Sequence, residues 1–314
     1  MKKFIYLIII AILIISLSAC SKEKNAPVDE GNPIKIGYLP ITHALPLFIQ
    51  EDGANLKSAK LELVKFGSWA ELVEALNAGE IDGASMLVEL AMKSKEQGIG
   101  LKSVALGHRD GNVVVVSEEI NKASDLKGKT VSIPSKLSSH NILLYQMLKE
   151  NNLKLSDVNV VELPPAEMPA ALSDGRISAY IVAEPFGAIS ISHGSGKVLY
   201  DSQELWQDSL CCTLVLRDEF INNNRLVAEE FVREYVKASE KAEQKDEDVY
   251  EVSSKYMKTK KDVLELSLKF ISYKDLAIRK EEYQVLTDYM KEMGLSENPP
   301  AYEDFIDNSL IQGE

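Results

Sequence analysis

The chain has 314 residues, 45% hydrophobic and 26% charged, which excludes a long disordered or collagenous chain and leaves room for one large domain or two moderate ones. Its 48 acidic against 35 basic residues give a formal charge of -13, a surface that repels phosphate backbones and excludes nucleic acid as a natural partner. Three cysteines, Cys20 and the adjacent pair Cys211 and Cys212, exclude a disulfide-built scaffold.

Lys2 and Lys3 precede an almost unbroken apolar run over residues 4–17, shorter than the ~20 residues a spanning helix needs. Leu17-Ser18-Ala19-Cys20 resembles the lipobox of bacterial lipoproteins. Residues 1–19 are therefore expected to be a lipoprotein signal peptide and Cys20 the lipidated start of the mature protein. The polar stretch 20–33, with Pro27 and Gly31, has the composition of a flexible tether. The expected location is the cell membrane, with the globular part facing outside the cytoplasm.

From residue 34 short strands alternate with helices. Residues 34–39 and 61–66 suit strands, and 69–78 switches to helical spacing, with Leu72, Val73 and Leu76 on one side and Gly79 as the stop. Residues 81–87, 104–107 and 113–116 are further strands. A second set follows, with strands at 130–133, 158–163 and 177–182 and helices at 141–149 and 166–172. This alternation predicts α/β units on largely parallel sheets. Glu71, Ala75, Leu76, Gly79 and Ile81 recur 96 residues later as Glu167, Ala171, Leu172, Gly175 and Ile177, which suggests two lobes of similar construction. After a strand at 214–216 the chain is helical and charged, with Phe231, Tyr235, Tyr256, Leu264, Leu268, Tyr283, Leu286 and Tyr289 as buried positions.

No G-x-S-x-G elbow, H-E-x-x-H, C-x-x-C or complete P-loop is present; Gly128-Lys129-Thr130 suits a turn feeding a strand. No catalytic residue is assigned and no enzyme is expected. His43, His108 and His140 each follow a strand or open a helix, where parallel α/β sheets expose loops to a ligand crevice, and Glu184 follows a strand in the same way. Ser138, Ser139, His140 and Asn141 form a helix start, suited to an anion or simply to capping. Trp69 suits core or cleft alike.

Ile36-Gly37-Tyr38-Leu39-Pro40, Ala75-Leu76-x-x-Gly79-x-Ile81-Asp82, Asp125-Leu126-Lys127-Gly128-Lys129-Thr130-Val131 and Ala183-Glu184-Pro185-Phe186 together resemble the nitrate/sulfonate/taurine/bicarbonate group of ABC-transporter substrate-binding proteins, over about residues 34–220. The resemblance implies an α/β type II periplasmic-binding-protein fold: two α/β lobes, 34–115 with 213–314 and 116–212, a ligand cleft between them and a helical C-terminal tail. It implies crossovers at 113–117 and 212–216, hinge closure over a small solute and an ABC permease as partner, with the binding protein a monomer. The implied ligand positions are Thr42, His43, Met86, Leu87, His108, Asp110, Asn112, Ser138, Ser139, His140, Asn141, Glu184 and Phe186, with Trp69 added as a cleft candidate.

Three imidazoles and a carboxylate depart from a generic oxoanion site. His43, His108, His140 and Glu184 can hold a divalent transition metal such as zinc, or the imidazoles can donate to a nitrate-, sulfonate- or bicarbonate-like anion. Bound zinc would be ligand, with no cofactor required. Cys211 and Cys212 suit metal ligation less, since adjacent strand residues face opposite sides. The alternatives are a surface-exposed enzyme and a relative of the pyrimidine-synthesising branch of the fold family, whose intracellular location an export leader opposes.

Overall fold

Apolar strands of four to six residues, each closed by a turn or a helix start, set the frame of the computed structural model, which describes residues 33–53 and 56–312. The expected signal peptide, Cys20 and the tether up to residue 32 lie outside the described residues. β1 (Ile34–Tyr38) leads through a 3-10 turn (Thr42–Ala44) into α1 (Leu45–Gly53). β2 (Leu61–Lys65), α2 (Trp69–Ala78), β3 (Gly83–Leu87), α3 (Val88–Glu96) and β4 (Leu101–Leu106) follow. In α2 the Ser68 side chain caps the start by accepting from the Glu71 N–H, and Leu72, Ala75 and Leu76 turn inward. Gly79 ends the helix with φ 78°, a left-handed conformation that favours glycine.

Next come β5 (Arg109–Asp110), β6 (Asn112–Val116), β7 (Thr130–Ile133), α4 (Ser139–Glu150), β8 (Asn159–Glu162), α5 (Met168–Ser173), β9 (Ala179–Ala183), α6 (Phe186–Ser192), β10 (Lys197–Asp201), α7 (Ser202–Leu205) and β11 (Cys212–Arg217). Two five-stranded sheets result, ordered β2-β1-β3-β11-β4 and, from its matching edge, β8-β7-β9-β6-β10. In each, the first three strands run parallel and the fourth is antiparallel to both neighbours. The 96-residue echo extends to the sheets: β1 and β7 begin at Ile34 and Thr130, β3 and β9 at Gly83 and Ala179, β4 and β10 at Leu101 and Lys197.

The antiparallel strands correct the expected crossovers. Residues 113–116 lie within β6, paired on both edges inside the second sheet, and 212–216 lie within β11, paired on both edges inside the first. Fully buried runs such as Asn112–Val116 need both ladders to satisfy their backbone groups, so the chain passes between sheets at 107–111 and again ahead of Cys212. The expected lobe boundary at 115/116 falls inside β6.

The tail comprises α8 (Asp218–Asn223), α9 (Arg225–Ala242), α10 (Glu247–Met257), α11 (Lys261–Ser267), β12 (Ile271–Ser272), α12 (Lys280–Glu292), α13 (Tyr302–Phe305) and α14 (Ser309–Gln312). Phe231, Tyr235, Leu264, Leu268, Tyr283 and Leu286 are buried as expected, while Tyr256 and Tyr289 are half-buried. The tail touches both halves. α9 packs on α1, where Gln50 Nε2 donates to the Phe231 carbonyl, and α12 meets α4 through Glu292, which accepts from Tyr145 and Lys149. Among the described residues no helix is long and apolar enough to cross a membrane.

Candidate metal centre

His43 sits in the 3-10 turn after β1, His108 in the first passage between sheets, and Cys211 and Cys212 where the second passage enters β11. These four buried residues each offer a nitrogen or sulfur atom within 4.8 Å of the others. Cys211 Sγ and Cys212 Sγ lie 3.8 and 3.4 Å from His43 Nδ1, and 3.9 Å from each other. A tetrahedral zinc with bonds of about 2.1 Å to nitrogen and 2.3 Å to sulfur separates its ligands by about 3.6 Å, so these spacings match its edges.

Hydrogen bonds fix which nitrogen of His43 is free. Its Nε2 lies 3.2 Å from the Gly111 carbonyl, which can only accept, so Nε2 carries the proton and Nδ1 turns a lone pair to the sulfurs. His108 Nε2 accepts from the Cys212 N–H at 3.3 Å, and its ring stacks on His43 with centroids 3.4 Å apart. His140, in the first turn of α4, is 1% exposed, and neither of its ring nitrogens has a hydrogen-bond partner. Burial, with His43 adding to it, lowers the His108 pKa to about 4. Burial also holds His140 at about 4, outweighing the pull of Cys211. Both rings are therefore neutral, the form that binds a metal. Burial alone would raise the Cys211 thiol, but the hydrogen bonds of Cys212 and His108 act against it and hold it below the usual thiol range. Burial, Cys211 and Glu89 push Cys212 up, and burial and Cys211 do the same to Glu89.

Of the expected metal ligands, the structure gathers His43 and His108 in one cluster, with His140 near enough to feel both, and leaves Glu184 outside that cluster, one carboxylate oxygen buried without a partner. The Glu184 carboxylate accepts from the Ala188 N–H at 2.9 Å, inside the first turns of α6. Its carbonyl accepts both the N–H and the hydroxyl of Thr42, joining the two sheets. Met86 and Leu87 are buried in β3. Asn112 Oδ1 lies 3.9 Å from Cys211 Sγ. Asp110 accepts from Gln203 Nε2, away from the cluster. Ser138 caps α4 by accepting from the Asn141 N–H, Asn141 donates to the Lys136 carbonyl, and Ser139 is buried beside His140. Phe186 is buried, its carbonyl bound by Tyr180. Trp69 lines a separate groove of about 590 Å³ between α2, α3 and the ends of β7 and β8.

Sequence reasoning missed Cys211 and Glu89. Alternation holds only within a strand, and Cys211 precedes β11, so both thiols converge. Glu89 follows β3 by two residues, a strand-end placement like that of His43, and a carboxylate directly after Met86-Leu87-Val88 was its signal.

Two sheets exchanging one antiparallel strand each, with a polar cluster at the passages, match the expected architecture. The family model described as the NMT1-like family matches residues 28–254. The chain belongs to the NMT1-like family. Among solved structures, this NMT1-like chain is similar to the ligand binding component of an ABC-type import system from Staphylococcus aureus with zinc bound, at 41% identity and a TM-score of 0.85, covering 90% of this chain and 98% of that one. The periplasmic nitrate-binding protein NrtA from Synechocystis PCC 6803, at 17% identity, TM-score 0.79 and coverage of 88% and 86%, shares the fold. The fold is the two-lobed periplasmic-binding-protein fold. The bicarbonate transport ATP-binding protein CmpC of Synechocystis sp. is 29% identical over 210 residues, 60% of this chain, and the chain spans 32% of that protein's length.

Proposed function

We propose that this NMT1-like protein is the solute-capturing component of an ABC importer and that its solute is a divalent transition metal, zinc foremost, held by His43 Nδ1, His108, His140 and the Cys211 thiolate. The observation that carries this is the buried set of His43, His108, Cys211 and Cys212 donor atoms within 4.8 Å of one another, with the His140 nitrogens, buried and without a hydrogen-bond partner, added as the fourth donor of the proposal in place of Cys212. Zinc bound in the Staphylococcus aureus neighbour supports it further. The ligand set keeps the three histidines of the sequence expectation and puts Cys211 in place of Glu184.

An oxoanion fits these residues less well. The helix start that would cradle it is occupied, Ser138 by its own helix and Asn141 by Lys136, and a thiolate and a buried carboxyl border the cluster. The division into lobes, the permease partner, the monomeric state and the membrane tether belong to the same proposal. Cys20→Ala should release the protein from the detergent phase. Native mass spectrometry with elemental analysis of the purified protein tests the ligand: one zinc per chain is expected, and a bound organic anion with no metal would overturn the assignment.

A further inference from the structure

Glu89, the second residue of α3, is fully buried, and neither of its carboxylate oxygens has a hydrogen-bond partner. The other buried glutamates each have at least one partner: Glu230 accepts from the Lys57 and Ser58 N–H groups, Glu282 from Arg109, and Glu184 through one oxygen from the Ala188 N–H. The start of α3 is tied to the cluster, because the Val88 N–H donates to the Cys211 carbonyl at 2.8 Å. The Glu89 oxygens fall outside the donor atoms gathered within 4.8 Å, and the ligand set proposed above is complete without them, so the role left to Glu89 is that of its charge. An isolated carboxylate in a dry interior is strongly disfavoured unless a positive charge compensates it.

We propose that Glu89 is the counter-charge that makes this site select divalent over monovalent soft cations, an inference that rests on the metal reading above. Three neutral imidazoles and one thiolate leave a bound dication with a net charge of plus one, which ionised Glu89 cancels. Around a monovalent cation the thiolate alone balances the charge, so Glu89 stays protonated and adds nothing to the binding. Thiolate and imidazole by themselves welcome soft monovalent ions as readily as zinc, so the donor set does not discriminate and the counter-charge does.

The test is competition calorimetry on the full chain with Zn²⁺ and with Ag⁺, a soft monovalent probe that needs no reductant, in chloride-free buffer. Glu89→Gln keeps the shape and removes the charge. It should weaken zinc at least tenfold while leaving silver unchanged or tighter, moving the zinc-to-silver affinity ratio tenfold or more toward silver. Glu89→Asp restores the charge and should hold the ratio within about threefold of wild type, a rescue that a purely structural role does not produce. Parallel loss of both metals in Glu89→Gln, or an unchanged ratio, overturns the inference and leaves the metal reading standing. Wild-type protein that binds no zinc overturns the metal reading, and this inference with it.

Discussion

Replacing His140 with alanine separates a ligand from a packed core residue. Without metal, the ring contributes volume but no hydrogen bond, since both nitrogens are buried and unpartnered. Its removal costs about 2–4 kcal/mol in lost packing and relieves two unsatisfied polar atoms at about 1–3 kcal/mol each, so the metal-free protein should lose no more than about 2 kcal/mol and can gain stability. With metal, one donor of four is lost, and zinc affinity should fall at least tenfold, or about 1.4 kcal/mol. At free zinc a hundredfold above the wild-type Kd, zinc stabilises the wild type by about 2.7 kcal/mol and the variant by about 1.4. At about 2–4 °C per kcal/mol for a chain of this size, scanning calorimetry should show a zinc-induced Tm rise of about 5–10 °C in wild type and half that in His140→Ala. A variant that unfolds without metal, or that keeps the full zinc increment, refutes the assignment of His140 as a ligand.

The two cysteines should part company: Cys211→Ser should weaken zinc at least tenfold in a chelator competition and Cys212→Ser far less, and the reverse order would move the thiolate to Cys212. In Gly107→Ala the new Cβ would stand 2.7 Å from the His43 carbonyl oxygen, so the His43 turn must shift; a loss of about 1–3 kcal/mol together with weaker zinc binding is expected, and unchanged zinc titration would show that the turn is not held by this contact. Burial holds the Glu184 carboxyl up at about 7, so its protonated form favours the fold: that contribution is complete below about 4.3, the value of an exposed glutamate, and is lost as pH rises through about 7, about 4 kcal/mol in all. Urea unfolding of metal-free protein should therefore show Glu184→Gln more stable than wild type at pH 8 with a shallower decline from pH 5, and parallel pH profiles would count against the shift.

Where local chemistry decides, the sequence carried the information. Gly79 ends α2 and Gly175 follows α5 because both adopt positive φ, and the recurring Ala-Leu edges face the core, so the echo read from five residues corresponds to two sheets of matched strand order. The strand-end rule also located His43, His108 and Glu184. It fixes where a residue sits and not which way its side chain turns, which is why Glu184 was expected in the cluster but instead accepts from Ala188 in its own following helix. The crossovers were illegible for a related reason. A buried valine run such as β6 reads as a strand in either sheet, and only pairing with β9 and β10 assigns it to the second.

The origin of the donors decides how a metal could drive closure. His43 hangs from the first sheet, and His108 and Cys211 from the two passages that any hinge motion leaves joined, whereas His140 alone is carried by a helix of the second sheet. In the proposed hinge closure a metal lands on the first three with the cleft open, and closure brings the fourth. Metal binding then favours the closed form by the affinity that His140 adds, at least the tenfold assigned to it above. The clasp of Thr42 on the Glu184 carbonyl and the α12 contacts to α4 lie between the same two halves and add to the closed form without any metal. In His140→Ala the clasp survives and the metal term does not. Solution scattering of that variant should therefore show the same radius with and without zinc, while the wild type compacts; zinc-dependent compaction of the variant would place the closing interaction elsewhere.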